Sequence, residues 1–567
     1  MPALDYLHRK QYLRNEITKK KMYRNIRITL TILLLTLGLT AKAQEENTFS
    51  YIIQYNTHFT DGENAPYWFT ALRQGMNNVV NNDGYIRIGI LNKGKLDKKG
   101  QFKYTIGADI RIGETQTNSY QSGRNILLQQ AYIEAQWRNV VLSIGSKERF
   151  SETTNDYAPI VDGQFSSNLA NLYFPNIYKM PLDNLGSGGL AYSGNSRPIP
   201  QVRIEIPNYI PFPGTNQWLH FRGHIAYGMF TDENFQTSHA SKNATTRYGK
   251  NILYHSKAGF IRIGKVEKFP LMFEGGLEMY TQFGGDIYSN SDGKILSMPN
   301  SLADYWKAFI PLSGSDDTPE KEQTNISGNQ LGSWHATFII PTKAVDIRLY
   351  GEHLFEDFSQ LFFFEYQSDR NGKKNIIYYP WKDIKLGIRL TNKSKAVPFI
   401  SSMQYEYLTT RDQSGALYHD PSDYFSEQMD GADNYYNHGI YPGWHHWGMG
   451  IGNPLVIAPA YNSNGSLQFR SNRITAHNVG INGTFSKWLP LGYRLQYTYS
   501  EHWGTYSHPF DQKRYSTSIL TELICAPQKS SWAGMVSIGY DKSNYIGNNT
   551  GIMFTLSYTG EIKKWFK

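Results

Sequence analysis

The feature that most limits the possible folds is strict two-residue alternation at residues 219–229, LHFRGHIAYGM. Because successive side chains of a strand point to opposite faces, Phe221, Ile225 and Tyr227 share one face, while Arg222 and His224 share the other. A strand of eleven residues tilted by about 40° spans roughly 28 Å, which matches the apolar band of an outer-membrane barrel. Strands of soluble sandwiches usually have about five or six residues. One segment fits both kinds of protein, so repetition decides between them.

The same alternation recurs along the whole chain, and the 41 tyrosines and 50 glycines suit many strands and turns. We count about eighteen segments, whose number and length favour a transmembrane barrel over a soluble sandwich. The sequence therefore predicts an all-β fold, a transmembrane antiparallel β-barrel of about 18 strands. The segments are 51–57, 86–90, 102–112, 131–137, 140–144, 202–206, 219–229, 259–263, 273–283, 334–340, 345–349, 384–390, 399–407, 479–485, 493–499, 519–525, 536–540 and 552–558.

Charged side chains occupy the polar face of these segments, mostly well inside each strand. In a soluble sandwich they would form the hydrated face. In a barrel an Arg or Lys facing lipid near the midplane costs about 2 to 4 kcal/mol, so we expect these residues to face the lumen. They are Arg87, Asp109, Arg111, Glu134, Arg138, Arg203, Glu205, Arg222, Arg348 and Arg389.

The connections between segments fall into short turns and three very long loops, at residues 146–201, 284–333 and 409–477. Structureless loops of that length are rare, so we expect them to carry structure or function. Residues 302–310 (LADYWKAFI) and 67–73 have the character of short helices. We predict that short helices and long loops plug the lumen of a single domain, residues 44–567.

The N-terminus has the pattern of an export signal. Basic residues between 19 and 27 precede an apolar core at 28–41, and Ala41-Lys42-Ala43 forms a cleavage site of the A-x-A type. Fourteen apolar residues reach only about 21 Å as a helix, too short for a membrane anchor. We therefore predict a signal peptide at residues 1–43, with Met22 as a plausible true start, and the cell outer membrane as the destination.

The net charge of +9 arises mostly from this leader. Of the 57 basic and 48 acidic residues, nine and two lie in residues 1–43, which leaves 48 basic and 46 acidic residues, a net charge of about +2. Nucleic-acid binding needs a concentrated basic surface, so we expect no nucleic-acid partner. The single Cys525 excludes an internal disulfide and a thiolate metal site.

The richest candidate for a binding site is the loop at residues 433–455, DNYYNHGIYPGWHHWGMGIGNPL. A sugar ring offers one apolar face for stacking and many hydroxyls for hydrogen bonds, and this loop places aromatic rings beside amides and imidazoles. Interfacial aromatics and turn residues would give a similar composition. The predicted polysaccharide-binding residues are Asn434, Asn437 and His438 for hydroxyls, and Tyr435, Tyr436, Trp444 and Trp447 for stacking.

Catalytic and metal sites have less support in the same loop. His445 and His446 are adjacent and would point in opposite directions from a strand, and no acidic residue stands at a helical spacing from them. We therefore predict no metal, no cofactor and no catalytic residue. A Ser-His-Asn hydrolase, as in some barrel lipases, would need a Ser near His438 or His502, which sequence cannot place, so this alternative stays open.

Seven blocks of the chain resemble the capsule assembly protein Wzi family, in its form from Bacteroides-like bacteria. The resemblance covers nearly the whole mature chain and implies an outer-membrane barrel of about eighteen strands, plugged by helices and loops, that anchors capsular polysaccharide as a lectin does. It assigns no binding residue to a numbered position. The blocks are APYWFTALRQG (65–75), SGNSRPIPQVRIEIP (193–207), YTQFGGD (280–286), GNQLGSW (328–334), LYGEHLFEDFS (349–359), QSG (413–415) and DNYYNHGIYPGW (433–444).

We therefore expect a non-enzymatic surface lectin that binds capsular or extracellular polysaccharide through many weak contacts, so that avidity retains the polymer. Outer-membrane lipid is its second expected partner and the capsule export machinery a third. Two other functions remain open. A sugar-conducting porin would share the polar lumen, and a barrel hydrolase would share the fold.

Overall fold

The computed structural model describes residues 48–113, 126–151, 185–310, 328–356, 381–393, 399–418, 429–485, 491–527 and 530–563, with short pieces between 160 and 165 and between 361 and 378. The predicted signal peptide at residues 1–43 lies outside these residues and stays a prediction. Among the described residues, no helix has the length and apolar character that a membrane span requires.

Eighteen antiparallel strands form one closed sheet, which confirms the predicted fold class. Each strand pairs with the next along the chain, and the first closes the barrel on the last, with Thr48 opposite Lys563. Closure leaves no strand edge unpaired. The strands are β1 (Thr48–Asp61), β2 (Asp83–Lys95), β3 (Phe102–Ile112), β4 (Ile126–Trp137), β5 (Val140–Ser146), β6 (Gln201–Pro211), β7 (Leu219–Met229), β8 (Leu253–Ile263), β9 (Met272–Phe283), β10 (Asn329–Pro341), β11 (Val345–Glu356), β12 (Ile384–Asn392), β13 (Ser402–Thr409), β14 (Ile474–Thr484), β15 (Leu491–Gly504), β16 (Pro509–Cys525), β17 (Trp532–Ser543) and β18 (Asn549–Lys563).

The alternation of side chains divides the wall into an apolar outside and a polar inside. On β7, Ile225 and Met229 are exposed, whereas Arg222 and His224 on the opposite face of the strand are buried. The same contrast recurs around the barrel and produces the lipid-facing band, which includes Ile53, Ile88, Ile225, Ile261, Leu349, Ile519 and Leu556. An apolar exterior around a closed, polar interior is the arrangement that a lipid bilayer requires, and it places the protein in the outer membrane.

Charged residues of the inner face are buried as ion pairs. Arg87 Nη2 lies 2.5 Å from Asp109 Oδ2, and Arg111 Nη2 lies 2.7 Å from Asp83 Oδ2. The prediction that such residues face the lumen was wrong for Arg138, which is exposed in the two-residue turn between β4 and β5. Its side chain there reaches water directly.

Long connections gather at one end of the barrel and short turns at the other. Thr48 and Lys563 lie at the end with short turns such as 138–139 and 342–344. In outer-membrane barrels the short turns face the periplasm, so the long loops are extracellular. Three extracellular connections contribute residues 65–79, 185–200 and 433–472, which fold into the lumen and are called the plug below.

Three short helices occur in the loops of the described region: α1 (Tyr67–Thr70), α2 (Glu233–Ala240) and α3 (Leu302–Phe309). The helix α1 is buried inside the lumen, where the Tyr67 amide donates to Asp541 Oδ2 at 2.8 Å, as the plug prediction requires. The prediction was wrong for α3, which forms a helix but lies against the outer wall of the barrel. Its Tyr305 carbonyl accepts a 2.9 Å hydrogen bond from Tyr227, whose side chain points outward.

Candidate functional site

The predicted binding loop folds into the lumen and forms the centre of the plug. Trp444 is fully buried, and its ring lies 6.4 Å from the Tyr254 ring of β8 and 6.0 Å from the Tyr280 ring of β9. Its Nε1 donates to the Ala191 carbonyl at 2.9 Å. Two of the sequence blocks, near residues 193 and 433, therefore meet inside the barrel.

The adjacent tyrosines are also buried and hydrogen-bonded to the protein. Tyr435 donates from its hydroxyl to Asp383 Oδ2 at 3.0 Å. Tyr436 donates from its hydroxyl to the Leu190 carbonyl, and its amide donates to Glu356 Oε1 at 2.7 Å. Both rings are covered, so neither has a face open to a sugar.

Trp447 is the fourth aromatic residue of the predicted site and is also buried. The Arg197 guanidinium lies over its ring at 4.4 Å, and its amide donates to Asp232 Oδ2 at 3.0 Å. Trp447 has a φ of 55°, a left-handed conformation that costs free energy for a bulky residue. These contacts fix the ring against Arg197.

The polar members of the predicted site hold the loop in its fold. Asn437 donates from Nδ2 to the Phe469 carbonyl at 2.9 Å and accepts from the Phe469 amide at 2.8 Å. Asn434 Oδ1 accepts from Asn472 Nδ2 at 2.6 Å. His438 Nδ1 accepts from the Ile440 amide at 3.1 Å. Only Asn434 and His438 of the seven predicted residues are partly accessible.

The structure thus brings all seven residues together but gives them a packing role. The four rings contribute to the core of the plug, and the amides satisfy its backbone. In this arrangement a sugar stacks on these rings only after the loop moves. Their direct contact with polysaccharide stays a prediction.

Two buried histidines of the plug predict that it loosens in mild acid. Burial lowers the pKa of His445 to about 3 and that of His446 to about 3, against about 6.5 for a free histidine. As the pH falls below about 6.5, the two histidines become protonated in the unfolded plug but remain neutral in the folded plug. The free energy of unfolding of the plug therefore decreases below about pH 6.5. At pH 5 the two histidines together lower the free energy of unfolding of the plug by about 4 kcal/mol.

One neighbouring carboxyl acts in the opposite direction. Burial raises the pKa of Asp232 to about 6, so the folded plug binds this proton more tightly than the unfolded plug and regains about 1.4 kcal/mol between pH 7.5 and pH 5. The net expectation is higher ionic conductance in planar bilayers at pH 5 than at pH 7.5. His445→Phe should flatten this dependence, and equal conductance of the wild type at both pH values would contradict it.

The wall holds the plug through buried charges that sequence reasoning did not single out. Glu352 Oε2 accepts from the Leu190 amide at 2.9 Å, and its Oε1 lies 2.5 Å from Lys385 Nζ. Lys385 Nζ also donates to the Gly188 carbonyl at 2.7 Å. The signal was a Glu and a Lys at inward positions of β11 and β12. A local pattern does not reveal that their backbone partners are 162 and 197 residues away.

A further group of polar and aromatic residues is accessible at the extracellular end. We call Arg411, Arg473, Trp503 and Tyr506 the rim cluster. The Arg411 guanidinium lies 4.3 Å from the Trp503 ring centre, and that of Arg473 lies 3.9 Å from the Tyr506 ring centre. Arg411 and Tyr506 are exposed, and Arg473 and Trp503 are half-buried.

The rim cluster has the chemistry that a glycan surface needs. Arg473 Nε donates to the Arg411 carbonyl at 2.9 Å, which joins the two cation–aromatic pairs into one surface. Aromatic faces support sugar rings, and guanidinium edges bind carboxylates and hydroxyls. The four residues come from the ends of β13, β14 and β15 and from the turn after β15, so their proximity required the tertiary structure.

Comparison with known proteins gives matches among solved structures. No family model and no curated protein sequence matches the chain. Among solved structures, the chain is similar to Wzi of Escherichia coli, described as an outer-membrane, carbohydrate-binding β-barrel involved in group 1 capsule assembly. The identity is 12% over 93% of this chain and 86% of that chain, with a TM-score of 0.49.

Two other similar structures are Acinetobacter baumannii OccAB4 and Pseudomonas aeruginosa OprD. OccAB4 is 9% identical over 92% of this chain and 99% of that chain, with a TM-score of 0.42. OprD is 8% identical over 93% and 98% of the two chains, with a TM-score of 0.41. Similarity at this level does not distinguish one barrel function from another. The closed sheet and its lipid-facing band make the chain a β-barrel protein of the outer membrane.

Proposed function

We propose that the protein is a non-enzymatic, lectin-like barrel of the Wzi type that anchors capsular or extracellular polysaccharide at the cell surface. The observation that carries this proposal is the plug. Buried side chains of the inner wall such as Glu352, Glu406 and Asn478 form hydrogen bonds with the plug backbone. A lumen filled in this way suits a binding protein better than a sugar-conducting channel, and leaves the extracellular surface as the place of contact.

The rim cluster is the contact surface that we propose for the polymer. It lies at the extracellular end and places the exposed Arg411 and the half-buried Arg473 beside two aromatic rings. A polysaccharide with carboxylate groups fits this chemistry, because each sugar unit can pair with a guanidinium and stack on a ring. Many repeats of one weak contact would retain a long chain. The capsule export machinery is the partner that would deliver it.

Partitioning of polysaccharide tests the proposed function. Deletion of the gene should move polysaccharide from washed cells to the medium without a change in the total. Cells that keep their coat after deletion would overturn the anchor function. Total polysaccharide that falls in both fractions would also overturn it, because export rather than anchoring would then be lost.

The rim cluster predicts a partial loss of polysaccharide binding by the purified protein. Arg411→Ala with Arg473→Ala should weaken binding of purified protein to carboxylated polysaccharide about tenfold, since each exposed charged contact contributes about 0.5 to 1 kcal/mol. The matched control is Arg138→Ala, which removes an exposed arginine 5.4 Å from the Trp137 ring at the periplasmic end. Equal binding by both variants would exclude the rim as the contact surface.

A further inference from the structure

The helix α3 lies against the outside of the barrel, over β7, β8 and β9. Tyr305 contacts Tyr227 of β7 with 5.3 Å between the ring centres, and it meets Phe283 of β9 at 5.0 Å. Phe309 lies 5.9 Å from the His255 ring of β8. The chain neighbours of Tyr227, His255 and Phe283 face the lumen, so these three side chains point outward. Their contacts place α3 on the outer face of all three strands.

This helix covers polar groups that otherwise face lipid. Lys257 is on the outward side of β8, in register with the lipid-facing Ile225 of β7. Its Nζ donates to the carbonyls of Ala308, at 3.3 Å, and Phe309. These carbonyls belong to the C-terminal end of the helix. Carbonyls at that end have no hydrogen-bond donor within the helix and carry partial negative charge. The helix therefore supplies hydrogen-bond acceptors to a lysine at a place where an unpaired cation is unfavourable.

The orientation of α3 is the reverse of that of a helix on a soluble protein. Asp304 and Ala308 are buried, while Leu302 and Trp306 are 89% and 56% exposed. Leu302, Trp306 and Ile310 recur every four residues, so they form one stripe that points away from the barrel. The Asp304 carboxylate forms a capping box with Ser301 and an ion pair with Lys307 at 3.5 Å.

We infer that α3 lies in the headgroup region of the outer leaflet, with Leu302, Trp306 and Ile310 in contact with lipid. The lipid-facing band continues directly below it, because Ile225 is the next outward residue of β7 beneath Tyr227 and is exposed. An amphipathic helix with Trp and Leu on its free face binds at the boundary between headgroups and acyl chains. This surface is independent of polysaccharide binding.

Site-specific fluorescence quenching tests the placement. The mature chain with Cys525→Ala and Trp306→Cys is labelled with bimane and reconstituted into phosphatidylethanolamine–phosphatidylglycerol vesicles. Ile261→Cys, in the lipid-facing band, and Tyr506→Cys, at the exposed rim, are the matched positions. Nitroxide lipids should quench most of the fluorescence at positions 306 and 261 and little at position 506, whereas aqueous iodide should quench mainly position 506.

A label at position 306 that behaves like the one at position 506 would overturn the inference. Protection from both quenchers would also overturn it, since a second copy of the chain or another protein would then cover the helix. Heat modifiability on gels confirms that each labelled barrel is folded. Leu302→Asp provides a second readout, because the added charge should reduce lipid quenching at position 306 while leaving that at position 261 unchanged.

Discussion

Trp444→Ala is expected to open the lumen to ions while the barrel stays folded. The side chain is fully buried between the wall residues Tyr254 and Tyr280 and the plug residue Ala191. Removal of a buried Trp costs about 3 to 5 kcal/mol, because it leaves a cavity and here also an unpaired carbonyl. That free energy is lost by the plug alone, since the strand pairing does not involve Trp444. Planar-bilayer conductance should rise from near zero to persistent channel openings.

Trp532→Ala is the matched control, because Trp532 is an exposed tryptophan of β17 without a plug contact. It should leave the conductance unchanged. Heat modifiability on gels shows whether each barrel remains folded. A closed Trp444→Ala barrel would contradict the role of this ring in sealing the lumen, and a conducting wild-type barrel would favour the porin alternative over the proposed anchor.

Lys385→Met should destabilise the protein by about 3 to 5 kcal/mol, because it leaves the buried Glu352 without its cationic partner. Lys385 Nζ lies 2.5 Å from Glu352 Oε1, and both side chains are almost completely buried. The double variant Lys385→Met with Glu352→Gln should recover much of the loss, since a neutral Gln still accepts from the Leu190 amide. Urea unfolding in lipid vesicles measures the free energies.

Lys382→Met supplies the control for this cycle. Lys382 forms an exposed pair with Asp412 at 3.9 Å, and pairs of that kind contribute about 0 to 1 kcal/mol. A loss for Lys385→Met no larger than for Lys382→Met would show that the buried pair does not stabilise the plug. A double variant as unstable as the single one would show that the loss comes from packing rather than from uncompensated charge.

Every strand of the barrel was predictable from the sequence. The eighteen alternating segments overlap eighteen different strands, and their apolar faces form the lipid-facing band. The prediction succeeds because the two-residue alternation is a local property of each strand. Every strand has lipid on one side and the polar lumen on the other, so each strand shows the alternation separately. The helices at Tyr67–Thr70 and Leu302–Phe309 also follow from local sequence patterns, and both were predicted.

The candidate site shows what local patterns do not contain. The sequence identified Trp444, Tyr435 and Tyr436 as an aromatic loop, but exposure to sugar and burial in a plug produce the same composition. Burial follows from contacts with Ala191, Asp383 and other residues far away in the sequence. The rim cluster was missed for the same reason, since its members come from three separate stretches of the chain.

The sequence by itself determined the strands, their two faces and the closed barrel that follows from them, because these depend on side-chain alternation within each segment. Only the tertiary structure decided which loops enter the lumen and which remain outside. The helix α3 illustrates the reason. Its apolar stripe would serve equally well against a plug or against lipid, and the choice depends on Lys257 and Tyr227, which lie on strands distant in sequence. Long-range contacts, rather than local periodicity, therefore place the functional surfaces.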